Sequence, residues 1–440
     1  MAGRKKAVAS SVEAQEDPRA PLDRALFLAR AQALVGELEA DLLERARGSA
    51  GLREGLAARH EAERAARRTA DPREVWERHF VTQVAASWLL SCVFVRTLED
   101  RGLLGHARIA GPGAADSQKL FFALAPSLTE RDYLLAVFRE MTRLPAAQEL
   151  FDARHNPVWS LAPSAAMAKK LVAMFRSPST EAPALRFGQE DTRFLGDLYQ
   201  DLSADVRERY ALLQTPHFVE KYILDRTLEP AIRRFGLDQT TVIDPTCGSG
   251  HFLLGAFERL LDHRLRKEPG LEIRVAAGKA LEAVFGADLN PYAVAIARFR
   301  LMLAFLDGGL PAAAGCAGAA HPCGGGGFFV AQSAAYAGEA GGVAGQSMHA
   351  WEERRFRWKT SGRRGMCWGG GSRRWWGNPP YITVKDPVLR ERYKELYASC
   401  YREFTLATPF TERFFLLAQK GGFVGMITEN GFMKRERERS

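Results

Sequence analysis

Val242-Ile243-Asp244-Pro245-Thr246-Cys247-Gly248-Ser249-Gly250-His251-Phe252-Leu253 is the stretch on which the fold turns. Thr241 to Ile243 reads as a short β-branched strand, residues 244–250 as a glycine turn, and His251 to Arg266 as an amphipathic helix. Gly248 and Gly250 allow a backbone to approach a ligand closely, and a new helix directs its unpaired amides at that ligand. A pyrophosphate would suit such a turn, and so would the zwitterionic amino-acid end of S-adenosylmethionine. An acid at the carboxyl end of the strand, Asp244, suits a cationic amino group better than a phosphate. A bare strand-to-helix turn would need neither both glycines nor the acid.

Outward from this turn the pattern repeats. Ala283 to Ala287 is a second strand, followed by a helix from Pro291 to Leu306 with proline at its first turn. Strand, crossover helix and strand in alternation predict a parallel sheet. The second strand runs into Asp288, forty-four residues beyond Asp244. An acid there can accept both hydroxyls of a ribose, although an isolated Asp before a helix is more often an N-cap. Later come Gly377 to Tyr381, helices near Val388 to Leu396 and Pro409 to Gln419, and a strand at Gly422 to Thr428.

Before the turn, residues 1–20 are polar and alanine-rich without periodicity and read as a disordered leader. Residues 21–210 carry helical periodicity, as in Phe27, Ala31, Leu34, Val35, Leu38 and Leu42, and predict an all-helical domain. Residues 211–440 form the α/β unit, which the chain leaves incomplete at its C-terminus. Within it, residues 311–376 follow no helical or strand period. They hold 15 glycines, five of the chain's eight tryptophans and three of its six cysteines, unlike a linker. Out-of-frame translation of a GC-rich gene would produce such a mixture, and the stretch is expected to pack poorly.

Gly377-Asn378-Pro379-Pro380-Tyr381-Ile382 carries the chemistry. An aromatic amine is a poor nucleophile because its lone pair is delocalised. Two acceptors, the Asn378 side-chain oxygen and the Pro379 carbonyl, can hold its hydrogens so that the nitrogen approaches tetrahedral geometry. Pro379 and Pro380 stiffen the backbone, and Tyr381 offers a face for stacking an extruded base, worth about 1–3 kcal/mol. Alone, the tetrad would read as a rigid turn.

The order Thr215-Pro216-His217-Phe218-Val219, Asp244 to Gly250, Asp288, Asn378 to Tyr381 and Gly421 to Ile427 resembles the gamma class of amino-methyltransferases acting on adenine in DNA. Within that class, Asp244 to Phe257, Ile382-Thr383-Val384-Lys385-Asp386 and Asn430 to Arg435 look most like the phage growth limitation methyltransferases (PglX) of bacteriophage exclusion systems. The resemblance covers residues 211–310 and 377–435 well and 75–210 more loosely. It implies a Rossmann-like S-adenosylmethionine-dependent methyltransferase domain behind a helical one, acting on double-stranded DNA, with other phage-defence subunits as partners. Thr215, Pro216 and Phe218 would line the far side of the cofactor, and Asp244, Pro245, Cys247, Gly248 and Gly250 its methionine end. Asp288 and Leu289 would hold its ribose, with Asn378, Pro379, Pro380 and Tyr381 as the catalytic set. Three departures stand out. No acid in 311–376 matches the one that reads the cofactor's adenine ring, Arg373 and Arg374 replace apolar residues in the strand before Asn378, and the chain stops before a target-recognition region. The alternatives are a methyltransferase for a protein glutamine or an RNA base, or an inactive truncated remnant.

Composition excludes less. Sixty-one Lys and Arg against 52 Asp and Glu give +9, which favours a polyanion without identifying one. The six cysteines form no CxxC pair, and His217 and His251 have no companions at metal spacing, so no metal site is expected. Cys247 has no neighbouring base and is a poor nucleophile candidate. The alternating charges from Arg53 to Arg68 read as a solvated helix face. No uncharged apolar run reaches 18 residues, which predicts a cytoplasmic protein without a membrane partner.

Overall fold

The computed structural model describes residues 20–21, 23–65, 69, 71–144, 147–154, 156–176, 185–187, 192–202, 215–288, 290–309, 330–332, 374–377, 383, 387–418 and 421–428. Eight helices precede the α/β part among the described residues: α1 (Arg24–Gly48), α2 (Ala50–Ala65), α3 (Arg73–Asp100), α4 (Ala114–Leu124), α5 (Glu130–Met141), α6 (Gln148–Phe151), α7 (Ala165–Phe175) and α8 (Arg193–Asp201). A two-residue parallel pair, β1 (Ala20–Pro21) with β2 (Leu185–Arg186), closes this layer.

Their starts follow from local chemistry. The Asp23 carboxylate accepts the Leu26 amide at 3.0 Å and Ser164 Oγ that of Met167 at 3.2 Å, while Thr129 and Asp132 cap α5 reciprocally. Helix α3 is the spine, buried from Phe80 to Leu98 apart from Gln83, and the fully buried Trp88 donates its indole N–H to Leu161 O at 2.9 Å. By length and composition α3 is also the one described helix able to cross a membrane, yet 94% of its apolar window is buried inside the protein. Helix α2 buries Leu56 and His60 and exposes Arg53, Glu54, Arg59, Glu61 and Arg64, as the alternating charges predict.

The second part begins with α9 (His217–Phe235), a helix outside the sequence-predicted elements whose buried Ile223, Leu224, Thr227, Leu228 and Ala231 follow helical spacing. Then follow β3 (Val242–Asp244), α10 (His251–Lys267), α11 (Ile273–Leu281), β4 (Val284–Asp288), α12 (Pro291–Gly309), β5 (Val330–Gln332), β6 (Arg374–Gly377), α13 (Pro387–Leu396), α14 (Ala407–Leu417) and β7 (Phe423–Met426). The five strands β3–β7 make one parallel sheet in the order β5-β4-β3-β6-β7. The chain therefore builds outward from β3 through β4 to β5, then returns to place β6 on the other side of β3. That reversal lies between β3 and β6, where parallel α/β sheets open a crevice at their carboxyl ends.

Strands β5 and β6 lie wholly or mostly inside 311–376, where no period is visible. Their pairing with β4, β3 and β7 defines them, and three- or four-residue strands are too short to show alternation.

Helix α12 joins the two parts. Tyr292, Ala293, Ala295, Ile296, Phe299 and Leu303 belong to the core of the helical layer, whereas Val294, Leu301 and Phe305 belong to the core around the sheet. A helix apolar on every side is one buried on every side. Paired charges fix the seam: Arg101 Nη1 lies 2.6 Å from both Asp307 oxygens and Arg298 Nη1 3.0 Å from Glu149.

Candidate functional site

The glycine turn connects β3 to α10 and is tied to β4 at two points. Cys247 N donates to Ala287 O at 3.0 Å, and Gly248 N to Asp288 Oδ2 at 2.9 Å. Gly250 N closes the turn on Cys247 O at 2.8 Å. Gly248 (φ 51°) and Gly250 (φ 89°) both occupy the left-handed region, where a side chain would be strained. A Cβ at Gly250 would also lie 2.9 Å from Ala297 Cβ, so the turn is pressed against α12. Beyond it, the first-turn amides of α10 have no partner within their own helix.

Two carboxylates share this end of the sheet. Asp244 is buried, and its Oδ1 accepts the Thr246 amide (3.0 Å) and hydroxyl (3.2 Å). Burial pushes its pKa up to about 8, with the Asp288 charge adding to the rise and the Thr246 bonds opposing it. Asp288 is half-buried, and its second oxygen accepts the Asn290 amide at 2.8 Å. Asn290 in turn caps α12, taking the Tyr292 amide at 3.1 Å. The N-cap of α12 is thus Asn290, and Asp288 faces the glycine turn.

The helical layer reaches into the same place. Asn290 Nδ2 donates to the Tyr199 hydroxyl of α8 at 2.5 Å, and the Tyr199 and Tyr292 rings pack edge to face at 5.5 Å. Arg300 of α12, fully buried, donates from Nη1 to Ser249 O at 2.6 Å. Gly196 of α8 makes room for this contact, since a Cβ there would collide with the Arg300 guanidinium and lie 2.6 Å from Ser249 Oγ. His251 Nε2 lies 3.3 Å from Asp197 Oδ1 of the same helix, and burial, then the Arg300 and Arg193 charges, hold its pKa well below the usual range. Arg193 also pairs with the buried Glu220 at the start of α9.

The structure thus brings together Asp244, Pro245, Cys247, Gly248, Gly250 and Asp288. Cys247 is buried and its thiol is raised well above its ordinary value, first by burial and then by Asp288 and Asp244, which disfavours the thiolate. Thr215 is half-buried just before α9, while Pro216 and Phe218 are exposed, Phe218 at 73%. His217 is exposed; it lies at the first position of α9, 3.8 Å from Glu220. Leu289 and the tetrad Asn378, Pro379, Pro380 and Tyr381 lie outside the described residues. What is described is their approach: β6 pairs with β3 through Trp375 and Ile243 and ends at Gly377, the residue before Asn378. Arg374 is the first residue of β6.

Arg300, Gly196, Tyr199 and Asn290 escape a motif reading. A signal was nevertheless present for one of them, because an arginine inside a helix apolar on all sides must find a buried acceptor.

Residues 376–440 match the Eco57I restriction-modification methylase family. The adenine-specific methyltransferase PglX of Streptomyces coelicolor is 38% identical over 447 aligned residues, covering 94% of this chain and 36% of that protein. A protein of Methanocaldococcus jannaschii, provisionally described as a type II restriction enzyme and methyltransferase, is 36% identical over 77 residues, 16% of this chain and 6% of its own. Among solved structures, a chain of the DrdV–DNA complex aligns with 89% of this chain and 34% of its own, at 13% identity and a TM-score of 0.43. The chain therefore resembles adenine-specific methyltransferases of the PglX type along nearly its whole length, and it spans about a third of that relative.

Proposed function

We propose that this chain carries the cofactor and amine sites of a Rossmann-like, S-adenosylmethionine-dependent DNA methyltransferase that modifies N6 of adenine in a phage-defence or restriction-modification setting. The observation that carries the reading is the adjacency of β3 and β6 as parallel neighbours. The glycine turn leaves one and the Asn378 tetrad follows the other, so donor and acceptor enter one crevice.

The residues present fit the cofactor. Among the described residues the hydrogen-bond donors to Asp244 are the Thr246 amide and hydroxyl, neither of them cationic. A buried acid of this kind is matched by an α-ammonium group. Asp288, at the end of the neighbouring strand, would accept the ribose hydroxyls, and Thr215, Pro216 and Phe218 would line the far side of the cofactor. When bound, the cofactor supplies a methyl group on a sulfonium. Asn378 and the Pro379 carbonyl hold the amine hydrogens, Pro380 stiffens the segment and Tyr381 stacks on the extruded base. Rate would come mainly from holding the two reactants in line. Double-stranded DNA is the partner, joined by other phage-defence subunits, in the cytoplasm.

The test is transfer of a tritiated methyl group from S-adenosylmethionine to unmethylated DNA, with Asn378→Ala as control. Label in DNA as N6-methyladenine, lost in the variant, is expected. Label in protein or RNA but never in DNA would overturn the DNA reading in favour of a glutamine or RNA-base methyltransferase.

A further inference from the structure

We infer that Arg300, lodged between the helical layer and the glycine turn, is a positioning residue for the cofactor turn, and that the helical layer thereby sets cofactor affinity. This rests on the methyltransferase reading and adds to it a residue that no motif contains.

Ser249 sits between two left-handed glycines, and the Ser249–Gly250 peptide leads into the second. That peptide rotates more easily than most, because Gly250 on its far side accepts many φ values at little cost. Its two polar atoms are both held. The Gly250 amide is bound to Cys247 O at 2.8 Å, and the Ser249 carbonyl is bound to Arg300 Nη1 at 2.6 Å. The first of these bonds is internal to the turn and moves with it. The second anchors the turn to α12, outside it. Arg300 Nη1 also approaches Ser249 Oγ at 3.4 Å, so one guanidinium nitrogen faces both oxygens of the same residue.

The anchor depends on α8. Gly196 leaves the space in which the guanidinium lies, and any side chain there would drive into it and into Ser249 Oγ. Arg193 and Asp197 of the same helix engage Glu220 of α9 and approach His251 at the start of α10. Helix α8 is thus seated against the three elements that frame the turn. Since α8, which leaves room for the Arg300 guanidinium, is separate in sequence from the sheet, cofactor affinity becomes a property of the seam between them.

The experiment compares wild type, Arg300→Met, Arg300→Lys and Gly196→Ala by calorimetric titration with S-adenosylhomocysteine, alongside hydrogen exchange at the Gly250 amide in the ligand-free chain. Removing a buried charge-assisted hydrogen bond predicts roughly a 10- to 100-fold weaker Kd for Arg300→Met, with faster Gly250 exchange. Arg300→Lys should recover part of the loss. Gly196→Ala, which keeps Arg300 and the surrounding core, should weaken binding in the same direction, so a poorly folded Arg300→Met leaves the idea open to refutation. Wild type that binds while Gly196→Ala and Arg300→Met bind equally well, with unchanged exchange, would refute the positioning role and leave the methyltransferase reading intact. Wild type that binds neither S-adenosylhomocysteine nor S-adenosylmethionine would overturn both.

Discussion

Replacing Asp244 with Asn should stabilise the ligand-free protein while weakening its hold on the cofactor. The carboxyl group titrates near 8 in the folded chain against an ordinary value of 3.8, chiefly because it is buried. Between pH 4 and pH 8 the unfolded chain has lost this proton and the folded chain retains it, so folding takes up a proton. Stability therefore falls as pH rises through that window, and flattens above it. At about 1.4 kcal/mol per pH unit, the three units from pH 4 to pH 7 amount to an upper figure of about 4 kcal/mol. Asn keeps the Oδ1 acceptor that receives the Thr246 amide and hydroxyl, so the exchange removes the titration with little change in shape. Urea denaturation followed by circular dichroism at pH 5, 7 and 8.5 would measure it: the two proteins converge at the acid end, and the variant gains progressively towards pH 8. Calorimetry in buffers of different ionisation enthalpy should show wild type releasing a proton when S-adenosylmethionine binds at pH 7, and the variant releasing none. A variant less stable than wild type at every pH would refute the reasoning, because it would mean that the buried carboxylate already has a stabilising partner.

Other substitutions follow from the same contacts. Asp288→Ala removes the acceptor of the Gly248 and Asn290 amides and should lower stability by about 1–3 kcal/mol while abolishing detectable cofactor binding, measured by thermal denaturation and titration. Asn290→Ala strips the cap of α12 and its bond to Tyr199; a loss of about 1–2 kcal/mol is expected from chemical denaturation. Trp88→Ala empties the centre of the helical core and should cost about 3–5 kcal/mol, visible as a lower Tm. Asn378→Ala should leave the Kd for S-adenosylhomocysteine within about twofold and reduce single-turnover methyl transfer by two or more orders of magnitude, roughly the range of a lost transition-state hydrogen bond.

The elements that sequence periodicity made legible are those whose local rules and global role coincide. The turn at Asp244–Gly250 and the helix from Pro291 announce themselves because glycine, proline and apolar spacing are dictated locally. Helix α9 does carry helical spacing, in Ile223, Leu224, Leu228 and Ala231, but it follows Thr215-Pro216 directly and has Pro230 within it, and α11 is only nine residues long. Strands β5 and β6 owe their existence to neighbours far away in sequence, which no window of residues records. At the site, the residues proposed to hold the cofactor sit in motifs, whereas Arg300, Gly196 and Tyr199, which pack around the turn and the start of α12, are scattered over more than a hundred residues and acquire meaning only when α8 and α12 meet.

A structure of the chain crystallised with S-adenosylhomocysteine bears most directly on the proposed arrangement. The ligand should lie at the carboxyl ends of β3 and β4, its amino group beside Asp244 and its ribose beside Asp288, with the segment that follows Gly377 on the same edge of the sheet and its sulfur facing Asn378. A ligand bound elsewhere, or an Asn378 segment emerging on the opposite side of the sheet, would contradict it.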